Sequence, residues 1–76
     1  MDANDWGRRI KAFRKLKGYT QVQFAKAVGI SVSVLGEIER GNRKPTEKQL
    51  NYMVDVLNIS IQELCPQEGQ TVKVDN

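Results

Sequence analysis

The sequence contains no histidine and only one cysteine, Cys65, in 76 residues. Without histidine the chain lacks an imidazole acid or base, a Ser–His or Cys–His nucleophile pair and the commonest metal ligand. A single cysteine excludes a disulfide within the chain, and one thiol with carboxylates is an unusual donor set for zinc. We therefore expect no enzyme activity, no metal and no cofactor.

Long apolar runs and a clustered glycine motif are also missing. The six glycines are dispersed and do not resemble a phosphate-binding loop. No apolar run is long enough to span a membrane, and no signal peptide opens the chain. A free thiol without an export signal is typical of the reducing cytoplasm, which is the expected location. A chain this short buries only about 60% of its unfolded surface, so helix caps and dimerisation are expected to support it.

The charge of the chain is distributed unevenly. Of the 12 basic residues, 11 lie in residues 1–48 against five acidic ones, whereas residues 49–76 carry one basic and four acidic residues. The first part therefore carries a charge of +6 and the second a charge of −3. A basic end on a small protein indicates an anionic partner, with nucleic acid first and an anionic membrane second, or only a solvated surface that keeps the protein soluble.

Capping signals predict five helices and no strand within residues 1–65. Thr20, Thr46 and Ser60 are each followed three residues later by Gln or Glu, the spacing of a capping box. The predicted starts are Asn4 or Asp5, Thr20, Ser31, Thr46 and Ser60, and the predicted ends are near Lys17, Val28, Arg40, Leu57 and Cys65. The tail, residues 66–76, has no helical period. We expect it to be disordered, although residues 71–74 alternate as a strand would.

Apolar residues at helical spacing predict a single core. On the first helix Trp6, Ile10 and Phe13 share one face, and each later helix contributes a similar stripe. Residues 21–40 form two short helices joined by a glycine-containing turn, which is the arrangement of a helix-turn-helix unit. Ala25 supplies the small residue that a close helix crossing needs, and Gly29 suits a turn with positive φ.

The chain between Ile10 and Leu64 resembles the helix-turn-helix domain of the Cro/C1-type (XRE) bacterial and phage repressors. The resemblance is carried by Arg14, residues 17–21, Phe24, Ala25, residues 28–31, Leu35, residues 38–41, Pro45, Thr46, residues 57–60 and Leu64. It implies an all-α, five-helix, lambda-repressor-like DNA-binding domain over residues 1–65. The domain would be dimeric, with the recognition helix, about residues 32–40, in the major groove of duplex DNA.

A helical wheel places Leu35 and Ile38 inward on this third helix. The outward residues Val32, Ser33, Gly36 and Glu37 match the base-reading positions of the family. The residues that match DNA-backbone positions are Thr20, Gln21, Ser31, Arg40, Asn42, Arg43 and Lys44. Gln21 matches a family glutamine that contacts phosphate and braces a base-reading side chain.

Two further sets of residues are interpreted as structural. Arg14 and Glu39 flank the apolar stripes of their helices, and the resemblance implies that they form a partly buried salt bridge. Ile59, Ile61 and Leu64 are apolar residues at the end away from the basic residues, and the family tends to dimerise there. We therefore predict a homodimer interface at these three residues.

The outer face of the third helix departs from the family pattern, because it lacks the Gln, Asn, Lys or Arg side chains that make bidentate base contacts. In one explanation Gly36 permits close approach to DNA, Val32 contacts a thymine methyl group and Glu37 accepts a hydrogen bond from cytosine. In the other, this face binds a protein. The basic residues 40–44 favour the first explanation.

The sequence therefore predicts a sequence-specific, double-stranded DNA-binding transcription regulator, in particular a repressor that binds a two-fold operator as a homodimer. The alternative is a protein-interaction module on the same fold, which would bind another regulator or a toxin and would bind DNA weakly or not at all. In both interpretations the protein carries out no chemistry and has no membrane partner.

Overall fold

The computed structural model describes residues 3–65, which form five α-helices. The helices are α1 (Ala3–Leu16), α2 (Gln21–Val28), α3 (Val32–Glu39), α4 (Glu47–Leu57) and α5 (Ile61–Leu64). The predicted all-α, five-helix class is confirmed. None of these five helices is long and apolar enough to cross a membrane. The predicted tail, residues 66–76, and its alternating segment lie outside the described residues.

Side-chain caps begin four of the helices, as predicted. Thr20, Ser31, Thr46 and Ser60 each accept a hydrogen bond from the backbone N–H three residues later. At α2, α4 and α5 the reciprocal bond is also present, so the three predicted capping boxes are confirmed. Each such cap stabilises a helix by about 1 kcal/mol, which is substantial in a domain with a small core.

The predicted cap of the first helix was wrong. Helix α1 already begins at Ala3, so Asn4 and Asp5 lie within its first turn. Asp5 accepts a hydrogen bond from Arg8 at 2.8 Å, one turn further along. A carboxylate in the first turn also interacts favourably with the positive end of the helix dipole, which explains why an acidic residue suits this position without being the cap.

Helix α3 ends in a tight hydrogen-bonded motif that fixes the direction of the chain after it. Gly41 has φ 83°, and its N–H bonds to the carbonyl of Ile38 at 3.1 Å. The N–H of Asn42 bonds to the carbonyl of Glu37 at 2.9 Å. Together these are the two bonds of a Schellman motif, so the loop leaves α3 in a defined direction.

All five helices contribute to the core. Its buried apolar residues are Trp6, Ile10, Phe24, Ala25, Val28, Leu35, Ile38, Met53, Leu57 and Leu64. Half-buried residues such as Phe13 and Tyr19 pack around this cluster, and the Tyr19 and Phe24 rings lie 5.7 Å apart. The predicted single core is present.

Helices α1 and α3 meet at Gly7, a contact that the sequence analysis did not foresee. A Cβ atom at Gly7 would lie 2.3 Å from the carbonyl oxygen of Ile38 and 2.8 Å from that of Glu39. Because both neighbours are backbone atoms, a side chain at this position has no room. Gly7 therefore sets how closely α3 approaches the core.

Arg9 holds the short helix α5 against α1. Its guanidinium donates to the carbonyl oxygens of Glu63 and Leu64, the latter at 2.9 Å, and it lies 5.8 Å from the centre of the Phe13 ring. Cations at a helix C-terminus satisfy the last carbonyl groups and complement the helix dipole. The four-residue helix is thus stabilised by a side chain from more than 50 residues earlier.

Candidate nucleic-acid interface

Helices α2 and α3 form the predicted two-helix unit around a sharp turn. Gly29 has φ 90°, and the N–H of Ile30 bonds back to the carbonyl of Ala25 at 3.0 Å. Ala25 is buried at the crossing, while Leu35 and Ile38 anchor α3 in the core. The opposite face of α3 faces the solvent.

The N-terminal end of α3 presents an exposed surface together with the start of α2. Val32 is 42% exposed, and Ser33 beside it is exposed as well. The hydroxyl oxygens of Thr20 and Ser31 accept backbone N–H groups, which leaves each hydroxyl hydrogen available for donation to another acceptor. The exposed N-terminus of a helix provides a favourable electrostatic setting for phosphate groups.

Beneath this surface lies a buried network centred on Glu39. Arg14 donates from Nε to Glu39 Oε2 at 2.7 Å and from a terminal nitrogen to Oε1 at 3.1 Å. The remaining terminal nitrogen of Arg14 donates to the carbonyl oxygen of Tyr19 at 2.8 Å. Gln21 donates its amide N–H to Glu39 Oε1 at 2.9 Å. The network therefore joins α1 and α3 and fixes the orientation of Gln21 at the start of α2.

The structure corrects the predicted environment of Gly36. The helical wheel placed Gly36 outward, but in the structure a side chain covers it, so that it is buried. The guanidinium of Arg40 lies over it, and a Cβ atom at Gly36 would stand 3.1 Å from the nearest terminal nitrogen of Arg40. The reason is geometric, because helical side chains lean towards the N-terminus and Arg40 follows Gly36 by one turn.

Glu37 and Arg43 contact each other on the same outer face. Arg43 Nε donates to Glu37 Oε1 at 2.7 Å, and both side chains are partly exposed. The sequence analysis assigned these two residues to separate tasks, base reading and backbone contact. The structure brings them together. They are six residues apart across the end of α3, so the spacing of a helix does not predict their contact.

The loop after α3 extends this surface with further polar groups. Asn42, Arg43 and Lys44 are all exposed, whereas Pro45 is buried and leads into α4. Arg40, Arg43 and Lys44 give the segment three positive charges at the C-terminal end of α3. Such a cluster of cations attracts a polyanion.

The three predicted dimer residues lie in different environments, and the prediction was wrong for one of these residues. Leu64 is fully buried in the core of its own protomer, so it is not available to a second copy. Ile59 is half-buried against the core, and Ile61 is 37% exposed. The apolar pattern assigned Leu64 both to the core and to the dimer interface, and the burial of its side chain confirms only the place in the core.

Gly7 and Arg9 position α3 and α5 on α1, and no pattern in the sequence predicted their contacts. Nothing near Gly7 in the sequence identifies the backbone that it approaches. The contact between Arg40 and Gly36 could have been predicted from the sequence, because their spacing of four residues places them on one helix face. The contacts of Arg9 with α5 had no local signal.

Comparison with known proteins agrees with this geometry. The family model for helix-turn-helix domains matches residues 10–64. The chain is 68% identical over 68 residues to YazB of Bacillus subtilis (strain 168), an uncharacterized HTH-type transcriptional regulator, covering 90% of this chain and 99% of that protein.

Solved structures share the fold. The restriction-modification controller protein C.AhdI from Aeromonas hydrophila superposes with a TM-score of 0.79 at 28% identity, over 83% of this chain and 96% of that one. SinR, a master regulator for biofilm formation solved in complex with DNA, superposes with a TM-score of 0.73 at 37% identity, over 78% of this chain and 95% of that one.

Proposed function

Because the chain belongs to the Cro/C1-type helix-turn-helix family, we propose that it is a transcription regulator, in particular a repressor, that binds double-stranded DNA with α3 in the major groove. The observation that carries this proposal is the α2–α3 unit, in which the N-terminal end of α3 is exposed and three basic side chains follow its C-terminal end. The similarity to SinR, which was solved with DNA, supports it. Repression would follow from occupying a promoter in the cytoplasm and needs no chemical step.

Each exposed group of this surface has a proposed role. The N-terminal outward residues of α3, Val32 and Ser33, meet base edges, and Gly36 and Glu37 continue that face. The groups proposed to contact the DNA backbone are Thr20, Gln21, Ser31, Arg40, Asn42, Arg43 and Lys44. Hydroxyl groups, helix N-termini and cations are the usual ligands of phosphate oxygens.

We propose that two copies bind a two-fold operator through an interface that includes Ile59 and Ile61 of α5. Helix α5 packs on α1 and α4, and Ile59 and Ile61 are not part of the outer face of α3, so pairing through them would not use the recognition helices. A symmetric dimer places its recognition helices one helical turn of DNA apart, about 34 Å.

Selection of bound sequences from random duplex DNA tests the proposed function. We expect a palindromic consensus whose half-sites are spaced by about one turn of DNA. A binding constant that falls steeply with salt would show that cations contact the phosphates. If the protein is not retained on duplex DNA even at low salt, the regulator function is wrong and the protein-interaction module is favoured.

Analytical ultracentrifugation tests the dimer. Ile61→Asp should shift the protein towards monomer, because it places a carboxylate in the proposed apolar interface. Val22→Asp is the matched control, because Val22 is an exposed β-branched residue on α2 at 64% exposure. A wild-type protein that stays monomeric at tens of micromolar, free and on DNA, would contradict the dimer.

A further inference from the structure

An arginine guanidinium group lies beside the outer face of α3, although α3 itself contains no arginine. The helix itself contributes valine, serine, glycine and glutamate to this face, none of which makes a bidentate contact with a purine through a cation. In the structure Arg43 reaches back from the following loop and donates Nε–H to Glu37 Oε1 at 2.7 Å. A cation therefore lies beside the exposed side of α3, one turn beyond Ser33.

The backbone that supports Arg43 is well defined. The two Schellman bonds from Gly41 and Asn42 to α3 fix the chain immediately before it, at 3.1 and 2.9 Å. Buried Pro45 follows two residues later and restricts the backbone on the other side. Arg43 is thus held at both ends, by its backbone on the loop and by its side chain on Glu37.

The hydrogen bond between Arg43 and Glu37 leaves the two terminal nitrogens of the guanidinium available. Glu37 engages Nε, so the two terminal nitrogens of Arg43 can donate together to a second group. Guanine presents two acceptors, O6 and N7, on its major-groove edge, and a bidentate arginine is the side chain that fits them best. The paired carboxylate also keeps Glu37 from facing phosphates as an isolated negative charge.

We propose that Arg43 is a specificity-determining residue that reads a guanine in the major groove and that Glu37 is its positioning residue. This inference rests on the proposed DNA-binding function and changes the role of both side chains within it. Glu37 acts through Arg43 and is not itself the acceptor for a cytosine amino group. Arg43 contributes sequence information in addition to its charge.

The exposure of the pair is consistent with a role in recognition. The side chains of Arg43 and Glu37 are 51% and 39% exposed, so an approaching base edge can reach them. Ion pairs with this exposure contribute little to folding stability. The consequence of the contact is therefore the orientation of Arg43.

The test measures the affinity of the full-length protein for its selected operator and for every single-base variant, at one salt concentration. Arg43→Ala should lose roughly 5- to 100-fold of discrimination at one G·C pair. Arg43→Lys should keep the salt slope yet lose part of the discrimination, because an ammonium group lacks the planar fork that can engage Glu37 and guanine at the same time. Glu37→Ala should reduce discrimination at that same pair, and the double variant should show no further loss.

Two variants serve as matched controls. Lys44→Ala removes one positive charge from the neighbouring position and should weaken all sequences about equally, with the salt slope reduced by about one. Glu37→Gln keeps a side-chain oxygen that can accept from Arg43 and should retain more discrimination than Glu37→Ala.

Three results would overturn the inference. If Arg43→Ala behaves as Lys44→Ala does, with an unchanged base profile, Arg43 is a backbone contact. If Glu37→Ala loses discrimination at a pair that Arg43→Ala leaves intact, Glu37 reads that base directly. If wild-type protein binds no duplex DNA, the proposed function fails together with the inference, whereas operator binding with either of the first two profiles refutes the inference alone.

Discussion

The two faces of α3 each carry a glutamate that binds an arginine at 2.7 Å, but in opposite environments. Glu39 faces inward, where its side chain and that of Arg14 are 2% and 7% exposed. Glu37, two residues earlier, faces outward and pairs with Arg43 among partly exposed groups. Both contacts are arginine–carboxylate ion pairs, but Arg14 donates to both oxygens of Glu39 whereas Arg43 donates to one oxygen of Glu37. The two pairs therefore differ in burial and in the number of hydrogen bonds.

Burial decides what is lost when one partner is removed. A charge left alone in the interior keeps its desolvation cost without compensation, whereas a charge left alone at the surface is solvated and screened. The same division applies to the two glycines beside α3. Gly7 meets backbone oxygens on the inner side, while Gly36 meets the end of a flexible side chain on the outer side. The inner face therefore supports the fold, and the outer face is free to specify a partner.

The largest effect is expected from Glu39→Ala. It should destabilise the protein by about 3–5 kcal/mol, because it leaves the Arg14 guanidinium buried without its carboxylate. Urea unfolding followed by circular dichroism measures this. The double variant Arg14→Met with Glu39→Met serves as the control and should recover much of the stability. A loss below 1 kcal/mol for Glu39→Ala would show that the inner pair behaves as a surface pair.

Gly7→Ala should come next, with a loss of about 1–3 kcal/mol. The new methyl group would overlap the carbonyl oxygen of Ile38, so α1 and α3 must move apart, and this cost exceeds the gain in helix propensity. The midpoint of thermal unfolding measures the loss. A midpoint equal to that of the wild type would mean that the two helices approach less closely than described.

Gly36→Ala should have the opposite sign and make the protein more stable by about 0.5–1 kcal/mol. Alanine favours the helix, and within residues 3–65 the close neighbour of the new methyl group is the end of the Arg40 side chain, which can shift. The same unfolding experiment measures the difference from Gly7→Ala. If Gly36→Ala instead destabilises the protein, the contact of the Arg40 side chain with Gly36 contributes to the stability of the fold.

Glu37→Ala should have the smallest effect on stability, about 0.2–1 kcal/mol, because the pair it breaks is exposed. This difference should shrink further when unfolding is repeated at high salt, since exposed charges are screened. A cost as large as that of Glu39→Ala, or one that salt does not reduce, would remove the distinction between the two faces.

Much of the local structure was predictable because its causes lie within a few residues. The caps at Thr20, Thr46 and Ser60 depend on a side chain three residues away, and the turn at Gly29 on one backbone conformation. These signals placed helices α2 to α5, and with the apolar stripes they indicated the helix-turn-helix unit. The start of α1 was the exception, since an acidic residue suits both a cap and a first turn.

The sequence by itself therefore determined the helices, their order and the family of the fold. Only the tertiary structure decided which face meets which neighbour: Gly7 on the carbonyl of Ile38, Arg9 on the end of α5, and Arg43 on Glu37. A helical wheel gives the direction of a side chain from its own axis but not the position of other elements. Packing between distant parts of the chain sets those positions, and a pattern of local spacing does not contain them.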